Sequence, residues 1–376
     1  MKYQTQYQQA VNSDIWVIKI GSAMLTDHGR TIDRVQINAW AHQIATLRKA
    51  GKRVILVSSG AIAAGVQKLG WAEKPAELAK QQAAAAVGQV TLARVYEEIF
   101  VNYGIQTAQV LLTHDDAADR KRYLNIKSTI GALLDNDILP IVNENDTTSF
   151  AEIKFGDNDN LGALVTNLIS AGLYVILTDQ QGLYTADPRN NPEAKLIKFD
   201  HADNPTLDSY IGTSKSALGS GGMVTKIQAA RKAMNSGTTT VIMHGQRDNG
   251  IIELLTGDFV GTMLFARGEV NAKKQWLAGQ LQTRGSVTVD HGAEQALLKQ
   301  GKSLLGVGIT AVQGDFSRGE IVAIVNEQGN EIAKGIVNYN SSDLDKIKGH
   351  PSEAINSILG FRLERHAIHR DNMAFV

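Results

Sequence analysis

The sequence predicts a doubly wound α/β domain, with a mainly parallel sheet sandwiched by helices, followed by a small, mostly β domain. Three observations indicate this division. Short apolar runs alternate with longer helical stretches from Ile15 to about Met243, the pattern of a parallel sheet covered by helices. After about Gly261, short alternating runs are separated by Gly, Asn and Asp turns. The chain has 376 residues, which is enough for two domains of ordinary size.

The predicted strands of the first domain are continuous apolar or β-branched runs, as expected for strands buried on both faces. They are Ile15–Ile20, Val54–Val57, Ile138–Val142, Tyr174–Leu177 and Thr239–Met243. The helical stretches between and after them are Val35–Ala50, Glu77–Phe100, Arg120–Leu134, Gly162–Ile169 and Lys226–Met234. Gly51 directly follows the first of these helices, and a glycine at that position is a helix stop signal.

The predicted domain limits follow the changes in composition. Residues 1–14 are polar and rich in Gln, which predicts a flexible extension. The α/β domain covers residues 15–264, a linker covers 265–282, and the β domain covers 283–376. The β domain is predicted to contain strands at Gly285–Asp290, Gly319–Asn326 and Glu331–Tyr339, and a helix at Ala293–Gln300.

Composition excludes several classes of protein. Lys plus Arg and Asp plus Glu both number 38, so no net charge attracts the chain to nucleic acid or acidic membranes. There are no cysteines, which excludes disulfides, thiolate nucleophiles and cysteine-ligated metal centres and fits a reducing compartment. No apolar run approaches the ~18 residues of a membrane span, and the N-terminus lacks the apolar stretch of a signal peptide. We therefore expect a cytoplasmic enzyme with no membrane partner.

Polar residues and glycines follow the predicted strands at their carboxyl ends, where open α/β sheets bind ligands. The first strand runs into Lys19–Ser22, the second into Ser58–Ala61, and the fourth into Thr178-Asp179. The third ends in Asn143–Asp146, and Gly156–Asn160 follows shortly after. Several such clusters at one end of one sheet predict a single polar site.

Two lysines occupy positions that favour an anionic ligand. Lys19 lies inside an apolar run, where a charge needs a partner. Lys226 ends a glycine loop at a helix start, where a cation opposes the helix dipole. Polyphosphate would satisfy both, and glycines let the backbone approach it closely. The alternatives are an edge-strand lysine for Lys19 and a solvated first-turn lysine for Lys226.

The Asn- and Asp-rich segments allow two interpretations. Asp146, Asp157 and Asp159 can each be an ordinary loop residue that hydrogen-bonds its own turn. Together, such side chains also suit a small zwitterionic ligand, since a carboxylate binds an ammonium group and amides bind a carboxylate. Asp residues can also orient the lysines or contact phosphate-bound Mg²⁺.

In combination and in order, these motifs resemble the glutamate 5-kinase family of the amino acid kinase superfamily, and the C-terminal part resembles a PUA domain. The motifs of the resemblance are Lys19–Ser22, Ser58–Gly65, Asn143–Asp146, Gly156–Asn160, Thr178–Pro188, Gly221–Lys226 and, for the PUA domain, Gly314–Glu320. The sequence departs from the family pattern at Ser58 and Ser220, where Thr is expected, and both changes keep a hydroxyl group.

The resemblance implies ATP-dependent phosphorylation of the side-chain carboxylate of L-glutamate to glutamyl 5-phosphate, the first step of proline biosynthesis. It implies ATP as co-substrate, Mg²⁺ on the phosphates, a homo-oligomer, and feedback inhibition by proline. The glutamate site would comprise Lys19, Ser59, Asp146 and Asn158. The ATP site would comprise Gly21, Ser22, Thr178, Asp179, Ser220, Gly221, Gly222, Met223, Val224, Thr225 and Lys226.

In this interpretation the catalytic residues are Lys19, Lys226 and Asp159, and no side chain is assigned as a metal ligand. The two lysines would neutralise charge on the transferring phosphoryl group, and Asp159 would hold them in place. The glutamate carboxylate is ionised at neutral pH, since its pKa is ~4.3, so its attack needs no general base.

Two other functions are compatible with parts of the sequence. One is another activity of the superfamily, such as aspartate kinase or acetylglutamate kinase. The other is an RNA-binding role through the PUA-like domain. Residues 283–376 carry ten Lys and Arg against eleven Asp and Glu, and this neutrality argues against a nucleic-acid partner.

Overall fold

The computed structural model describes residues 3–27, 31–113, 116, 119–148, 158–210, 222–266 and 283–375. The chain forms two compact units. The first unit comprises Met1–Ala117 and Lys127–Glu269, and the second comprises Ala118–Ile126 and Val270–Val376. The second unit therefore contains a short segment, Ala118–Ile126, that the sequence predicts to belong to the α/β domain.

The strands of the first unit are β1 (Ile15–Ile20), β2 (Thr26–Asp27), β3 (Thr31–Ile32), β4 (Arg53–Val57), β5 (Thr107–Leu112), β6 (Leu139–Glu144), β7 (Leu173–Thr178), β8 (Phe199–His201), β9 (Thr239–His244) and β10 (Thr262–Phe265). Eight of them form one sheet in the order β5-β6-β4-β1-β7-β9-β10-β8, and β2 and β3 form a separate antiparallel pair. Every neighbouring pair in the large sheet is parallel except β9 and β10. The predicted doubly wound, mainly parallel sheet is confirmed.

Within the described residues, the α-helices that begin before residue 267 are α1 (Gln4–Asn12), α2 (Ser22–Leu25), α3 (Arg34–Lys49), α4 (Ala61–Lys68), α5 (Leu78–Phe100), α6 (Arg120–Asp135), α7 (Asn158–Ile169), α8 (Thr206–Tyr210), α9 (Met223–Met234) and α10 (Glu253–Thr256). The five predicted helices are all present, and α7 and α9 begin three or four residues earlier than predicted. Among the described residues, no helix combines the length and hydrophobicity that a membrane crossing requires.

Three strands of the large sheet, β5, β8 and β10, are absent from the predictions. β5 lies at one edge and is only partly buried, so its Thr and Gln residues interrupt the apolar pattern. β8 has three residues and lies at the other edge. β10 is fully buried but follows Gly261, where the pattern predicts a change of domain.

The N-terminal segment differs from the prediction of a flexible extension. Residues Gln4–Asn12 form α1, in which Tyr7, Ala10 and Val11 are buried. Their spacing places them on one helix face, and the Tyr7 hydroxyl hydrogen-bonds the Leu254 carbonyl oxygen. The four Gln residues of α1 obscure this short amphipathic pattern in the sequence.

The second unit contains a five-stranded sheet in the order β12-β11-β13-β14-β15, made of β11 (Gly285–Val289), β12 (Ile309–Gly314), β13 (Ile321–Val325), β14 (Glu331–Ile336) and β15 (Met373–Phe375). Its helices include α11 (His291–Gln300), α12 (Ser341–Ile347) and α13 (Ile355–Leu359). Leu124, from the first turns of α6, is buried in a cluster with Ile336 and Ala374. The predicted mostly β domain is confirmed.

Helices α4 and α5 approach one another through glycines. A Cβ atom on Gly65 of α4 would lie 1.7 Å from the Ala84 carbonyl oxygen of α5. A Cβ atom on Gly88 of α5 would lie 1.8 Å from the Ala61 carbonyl oxygen of α4. Because both obstacles are backbone atoms, the two helices would have to move apart to admit even a methyl group.

We expect Gly65→Ala to lower the free energy of unfolding by about 3 kcal/mol, at the upper end of usual overpacking costs, because the added methyl group meets backbone. Gly131→Ala is the matched control, since a Cβ at Gly131 in α6 meets no atom within 4 Å. That change should raise stability by about 0.5–1 kcal/mol. Urea unfolding followed by circular dichroism measures both, and equal stability of the two variants would contradict the close approach.

Candidate active site

Several predicted site residues lie where the central parallel strands end. β1, β4, β6 and β7 run in the same direction, so their carboxyl ends reach one edge of the sheet. Lys19 is the penultimate residue of β1, and Ser59 follows β4 by two positions. Thr178 ends β7, and α7 begins at Asn158. The fold thus brings segments that are distant in sequence to one edge.

A buried ion-pair cluster lies at this edge. The Lys19 Nζ atom is 2.6 Å from Asp159 Oδ1, and the Lys226 Nζ atom is 3.2 Å from Asp159 Oδ2. The side chains are 5% exposed for each lysine and 1% for the aspartate. Two cations share one anion, so the three side chains together carry a charge of +1, which favours an anionic ligand.

Asp159 is fixed from several directions. It lies in the first turn of α7, where a carboxylate is stabilised by the helix dipole. The Thr225 hydroxyl oxygen is 2.8 Å from Asp159 Oδ2, and the buried Tyr174 hydroxyl donates to the Asp159 carbonyl oxygen at 2.8 Å. A Cβ on Gly162 would lie 2.2 Å from that Tyr174 hydroxyl oxygen, so the helix needs glycine there.

The electrostatics of the cluster follow from this geometry. Burial alone would raise the pKa of the Asp159 carboxyl, but the charges of Lys19 and Lys226 and hydrogen bonds from Lys19 and Thr225 outweigh it and lower that pKa to about 2. Burial lowers the pKa of the Lys226 ammonium group, while Asp159 acts in the opposite direction. Asp159 is therefore ionised throughout the neutral pH range.

A second cluster, formed by amides and hydroxyls, lies at the ends of β4 and β6. The Asn158 Nδ2 atom contacts three acceptors, the Ser58 carbonyl oxygen at 2.6 Å, Ser59 Oγ at 2.9 Å and Asn143 Oδ1 at 3.1 Å. Asn143 in turn donates from Nδ2 to Gln89 Oε1 at 2.7 Å. We call Gln89, Asn143, Asn158 and Ser59 the amide network.

Several of the described residues that are predicted to bind the nucleotide lie close to the ion-pair cluster. The Gly21 N–H donates to the Leu177 carbonyl oxygen at 3.2 Å, which joins the end of β1 to β7. The Thr178 hydroxyl donates to Asp179 Oδ1 at 3.0 Å. The negative charge of Asp179 also acts to raise the pKa of the Lys226 ammonium group, against the effect of burial. Gly222 directly precedes α9, whose first turn contains Met223, Val224, Thr225 and Lys226.

The predicted residues that the structure describes lie in different parts of this edge of the sheet. Lys19, Asp159 and Lys226 form one cluster, and Ser59 and Asn158 contact each other in the second. Asp146 lies in a turn two residues beyond β6, and Ser22 is exposed at the start of α2. Ser220 and Gly221 lie outside the described residues, as does Asp157.

Several residues of the site are absent from the predicted set. They are Ser58, Gln89, Asn143, Tyr174 and Tyr96, whose hydroxyl oxygen lies 2.9 Å from Ser58 Oγ. Asn143 belongs to a motif that the sequence singles out, but no role is assigned to it there. Gln89 and Tyr96 are seven positions apart and therefore share one face of α5, a signal that the Ala-rich composition of this helix conceals.

Whether the protein supplies a metal site can be tested on the donor set. Both carboxylate oxygens of Asp159 already accept hydrogen bonds from Lys19, Lys226 or Thr225. Among the residues that the structure describes, no three His, Asp or Glu side chains are grouped as metal ligands. The described side chains therefore do not form a metal cage.

Comparisons with known proteins agree with this geometry. The profile of the amino acid kinase family matches residues 14–244, and that of the PUA domain matches residues 285–359. Glutamate 5-kinase of Burkholderia thailandensis is 52% identical over 361 residues, which cover 96% of this chain and 97% of the relative. The chain belongs to the glutamate 5-kinase family. A second member, from Pseudomonas entomophila, is 51% identical over 362 residues, with the same coverage of both chains.

The fold of this glutamate 5-kinase family member also resembles a solved structure of carbamate kinase from Giardia lamblia bound to AMP-PNP. The TM-score is 0.50 at 16% sequence identity, and the alignment covers 68% of this chain and 99% of that one. At this identity the likeness shows the fold alone. It agrees with the large parallel sheet and leaves the substrate to be argued from the site.

We expect Asp159→Asn to lower the free energy of unfolding at pH 7 by about 3–5 kcal/mol, because it leaves two buried lysines without their shared anion. The folded-state pKa of Asp159, about 2, lies below its ordinary value of 3.8. Its ionisation therefore stabilises the wild type fully above pH 3.8, and this stability falls as the pH drops towards 2.

Urea unfolding of the wild type and of Asp159→Asn at pH 7, pH 4 and pH 3 measures this difference. The gap between the two proteins should be largest at pH 7 and should narrow at pH 3. Asp187→Asn is the control, since Asp187 is a half-buried carboxylate whose ion pair is with the exposed Arg189 in the same loop. A gap for Asp159→Asn that is independent of pH would contradict the assigned pKa.

Proposed function

We propose that this chain transfers the γ-phosphoryl group of ATP to the side-chain carboxylate of L-glutamate and forms glutamyl 5-phosphate and ADP. The observation that carries this proposal is the buried Lys19–Asp159–Lys226 cluster beside the amide network. The cationic lysine cluster is suited to phosphate, and the amide network is suited to an amino acid. Membership of the glutamate 5-kinase family supports the same reaction, which is the first step of proline biosynthesis.

The reaction requires positioning more than proton transfer. The glutamate side chain has a pKa of ~4.3 and is already a carboxylate at pH 7, so one of its oxygens can attack the γ-phosphorus without a base. The bond to the β,γ-bridging oxygen breaks, and ADP leaves with the electron pair. Two anions must approach in line, so charge neutralisation and alignment supply the catalysis.

Lys19 and Lys226 are the groups that neutralise this charge. Asp159 accepts from both ammonium groups through different oxygens, so it sets the spacing between them. Since the cluster is buried, its charges act in a medium of low polarity and are already oriented before the substrates arrive. We assign Asp159 to positioning the two lysines, and we assign the lysines to the phosphoryl group itself.

L-Glutamate is recognised by Ser59, Asn158 and Asp146. The Ser59 hydroxyl and the Asn158 amide are in contact at 2.9 Å and lie next to the phosphoryl-binding lysines in the fold. Asp146, at the turn after β6, supplies the carboxylate for the α-ammonium group of the substrate. This assignment rests on the family motif together with the shared sheet edge.

ATP is bound by the segments after β1 and β7 and by the start of α9. Gly21, Ser22, Thr178 and Asp179 lie at the first two of these, and Gly222–Lys226 lie at the third. The N-terminus of α9 directs backbone N–H groups towards a phosphate, and Lys226 adds a positive charge in the same turn. Mg²⁺ comes with the nucleotide phosphates, as is usual for kinases.

Regulation and assembly follow the family. We propose that the protein forms a homo-oligomer in the cytoplasm, where ATP and glutamate are available. We also propose that proline inhibits it at a site that overlaps the glutamate site. Proline carries the same α-ammonium and α-carboxylate groups as glutamate and lacks the side-chain carboxylate that accepts the phosphoryl group.

An acyl phosphate reacts with hydroxylamine, so MgATP, L-glutamate and hydroxylamine should yield a coloured iron–hydroxamate complex when the purified protein is added. L-Aspartate and N-acetyl-L-glutamate should give less than about one-hundredth of the glutamate rate, because a shorter chain or a blocked ammonium loses buried contacts worth about 3 kcal/mol. A faster reaction with either compound would assign the chain to another substrate within the same superfamily.

We expect Lys226→Met to lower kcat about 10²–10³-fold and to change the KM for glutamate less than threefold, because this lysine acts on charge that develops in the transition state. The control is Lys232→Met, which removes a lysine from the last turn of the same helix. Steady-state kinetics of both variants test the role, and a normal kcat for Lys226→Met would refute it.

A further inference from the structure

Helix α5 reaches the candidate glutamate site because of its close packing on α4. Gly88 of α5 lies against the first turn of α4, where a Cβ would be 1.8 Å from the Ala61 carbonyl oxygen. The next residue along α5 is Gln89, and Ala61 follows Ser59 by two positions. The glycine contact therefore places the Gln89 side chain beside the ends of β4 and β6.

The hydrogen-bond chemistry of the amide network fixes the orientation of each amide. The Glu144 N–H donates to the Asn143 side chain at 2.9 Å, so the accepting atom must be Oδ1. The remaining atom, Nδ2, donates to Gln89 Oε1 at 2.7 Å. Asn143 is 1% exposed, so its Nδ2 cannot exchange Gln89 for bulk water.

The orientation of Asn158 follows in the same way. Its Nδ2 atom faces the Ser58 carbonyl oxygen, Ser59 Oγ and Asn143 Oδ1, all of which can accept hydrogen bonds. A ligand that binds this amide therefore meets the Asn158 oxygen, which is an acceptor suited to an ammonium group. Because Ser59 Oγ accepts from Asn158, its own proton can be donated to a ligand carboxylate.

We propose that Gln89 is a positioning residue for glutamate binding, which acts by holding Asn143 and, through it, the Asn158 amide. The inference rests on the proposed function and concerns a residue outside the motifs that carry the family resemblance. Gln89 accepts from Asn143 Nδ2, and Asn143 Oδ1 accepts from Asn158. Without the Gln89 acceptor, the Asn143 amide loses the partner of a buried donor and is free to rotate away from Asn158.

The test compares Gln89→Met, which keeps the side-chain length and removes the acceptor, with Gln89→Glu, which keeps an acceptor oxygen. We expect Gln89→Met to raise the KM for glutamate about 5- to 100-fold, the range for one buried donor left without a partner. The KM for ATP and kcat should stay within about threefold of wild type. Gln89→Glu should restore most of the glutamate affinity.

Two further measurements separate positioning from a general loss of stability. Thr91→Val is the matched control on α5, since the Thr91 hydroxyl bonds only the Val87 carbonyl oxygen of its own helix in the described contacts. It should leave the KM for glutamate unchanged. In combination with Asn158→Ala, the Gln89→Met change should add less than threefold, because both changes remove one connected interaction.

The outcomes are distinguishable. If the wild type forms no glutamyl hydroxamate, the proposed function is wrong, whatever the variants do. If the wild type is active and Gln89→Met has a normal glutamate KM, or if its effect multiplies fully with that of Asn158→Ala, the role of Gln89 is refuted. If Gln89→Met fails to fold, Gln89→Lys provides the same test, because it also removes the acceptor while keeping an extended side chain at a half-buried position.

Discussion

The site depends on one buried carboxylate that holds two buried lysines. Asp159 compensates two cations that would otherwise be costly to bury, and it does so with one oxygen for each. Such a cluster forms only when the three elements that carry these side chains are packed together. β1 supplies Lys19, α7 supplies Asp159 and α9 supplies Lys226. The packing of α7 and α9 on the central sheet is therefore constrained by this charged cluster as well as by the apolar core.

The same constraint explains the small residues around the site. The first turn of α7 reaches the sheet because Gly162 leaves room for the Tyr174 hydroxyl, which bonds the backbone of Asp159. Helix α5 reaches the amide network because Gly88 leaves room for the backbone of α4. In both cases a glycine lets two elements pack closely, and a polar side chain can then reach its hydrogen-bond partner on another element.

Much of this organisation can be predicted from the sequence, because buried parallel strands are continuous apolar runs and their ends are marked by polar residues. Lys19 and Lys226 stand out because each is a charge where the local pattern favours an apolar or acidic group. The contributions of Gln89 and Tyr174 cannot be predicted in this way. Each is an ordinary residue for its helix or strand, and its role depends on a partner more than ten positions away in the sequence.

Short elements account for the other differences. α1 and β10 are stabilised by contacts with distant segments. The local sequence of α1 therefore resembles a polar tail, and that of β10 resembles a connecting segment between domains. Tyr7 of α1, for example, bonds the carbonyl oxygen of Leu254, 247 positions later. The apolar spacing of Tyr7, Ala10 and Val11 is a usable signal once the four glutamines between and around them are discounted.

The start of α6 limits how the chain can be divided. Ala118–Ile126 lies between segments of the first unit in sequence but belongs to the second unit, where Leu124 is 3% exposed against Ile336 and Ala374. A single cut anywhere in residues 267–282 would therefore not yield two self-sufficient fragments. The N-terminal fragment would keep Leu124 without its apolar neighbours Ile336 and Ala374. The C-terminal fragment would lack Leu124 and would expose the sheet surface that Leu124 covers. A gene fusion or truncation that separates the β domain at this boundary would therefore carry the exposed apolar surface.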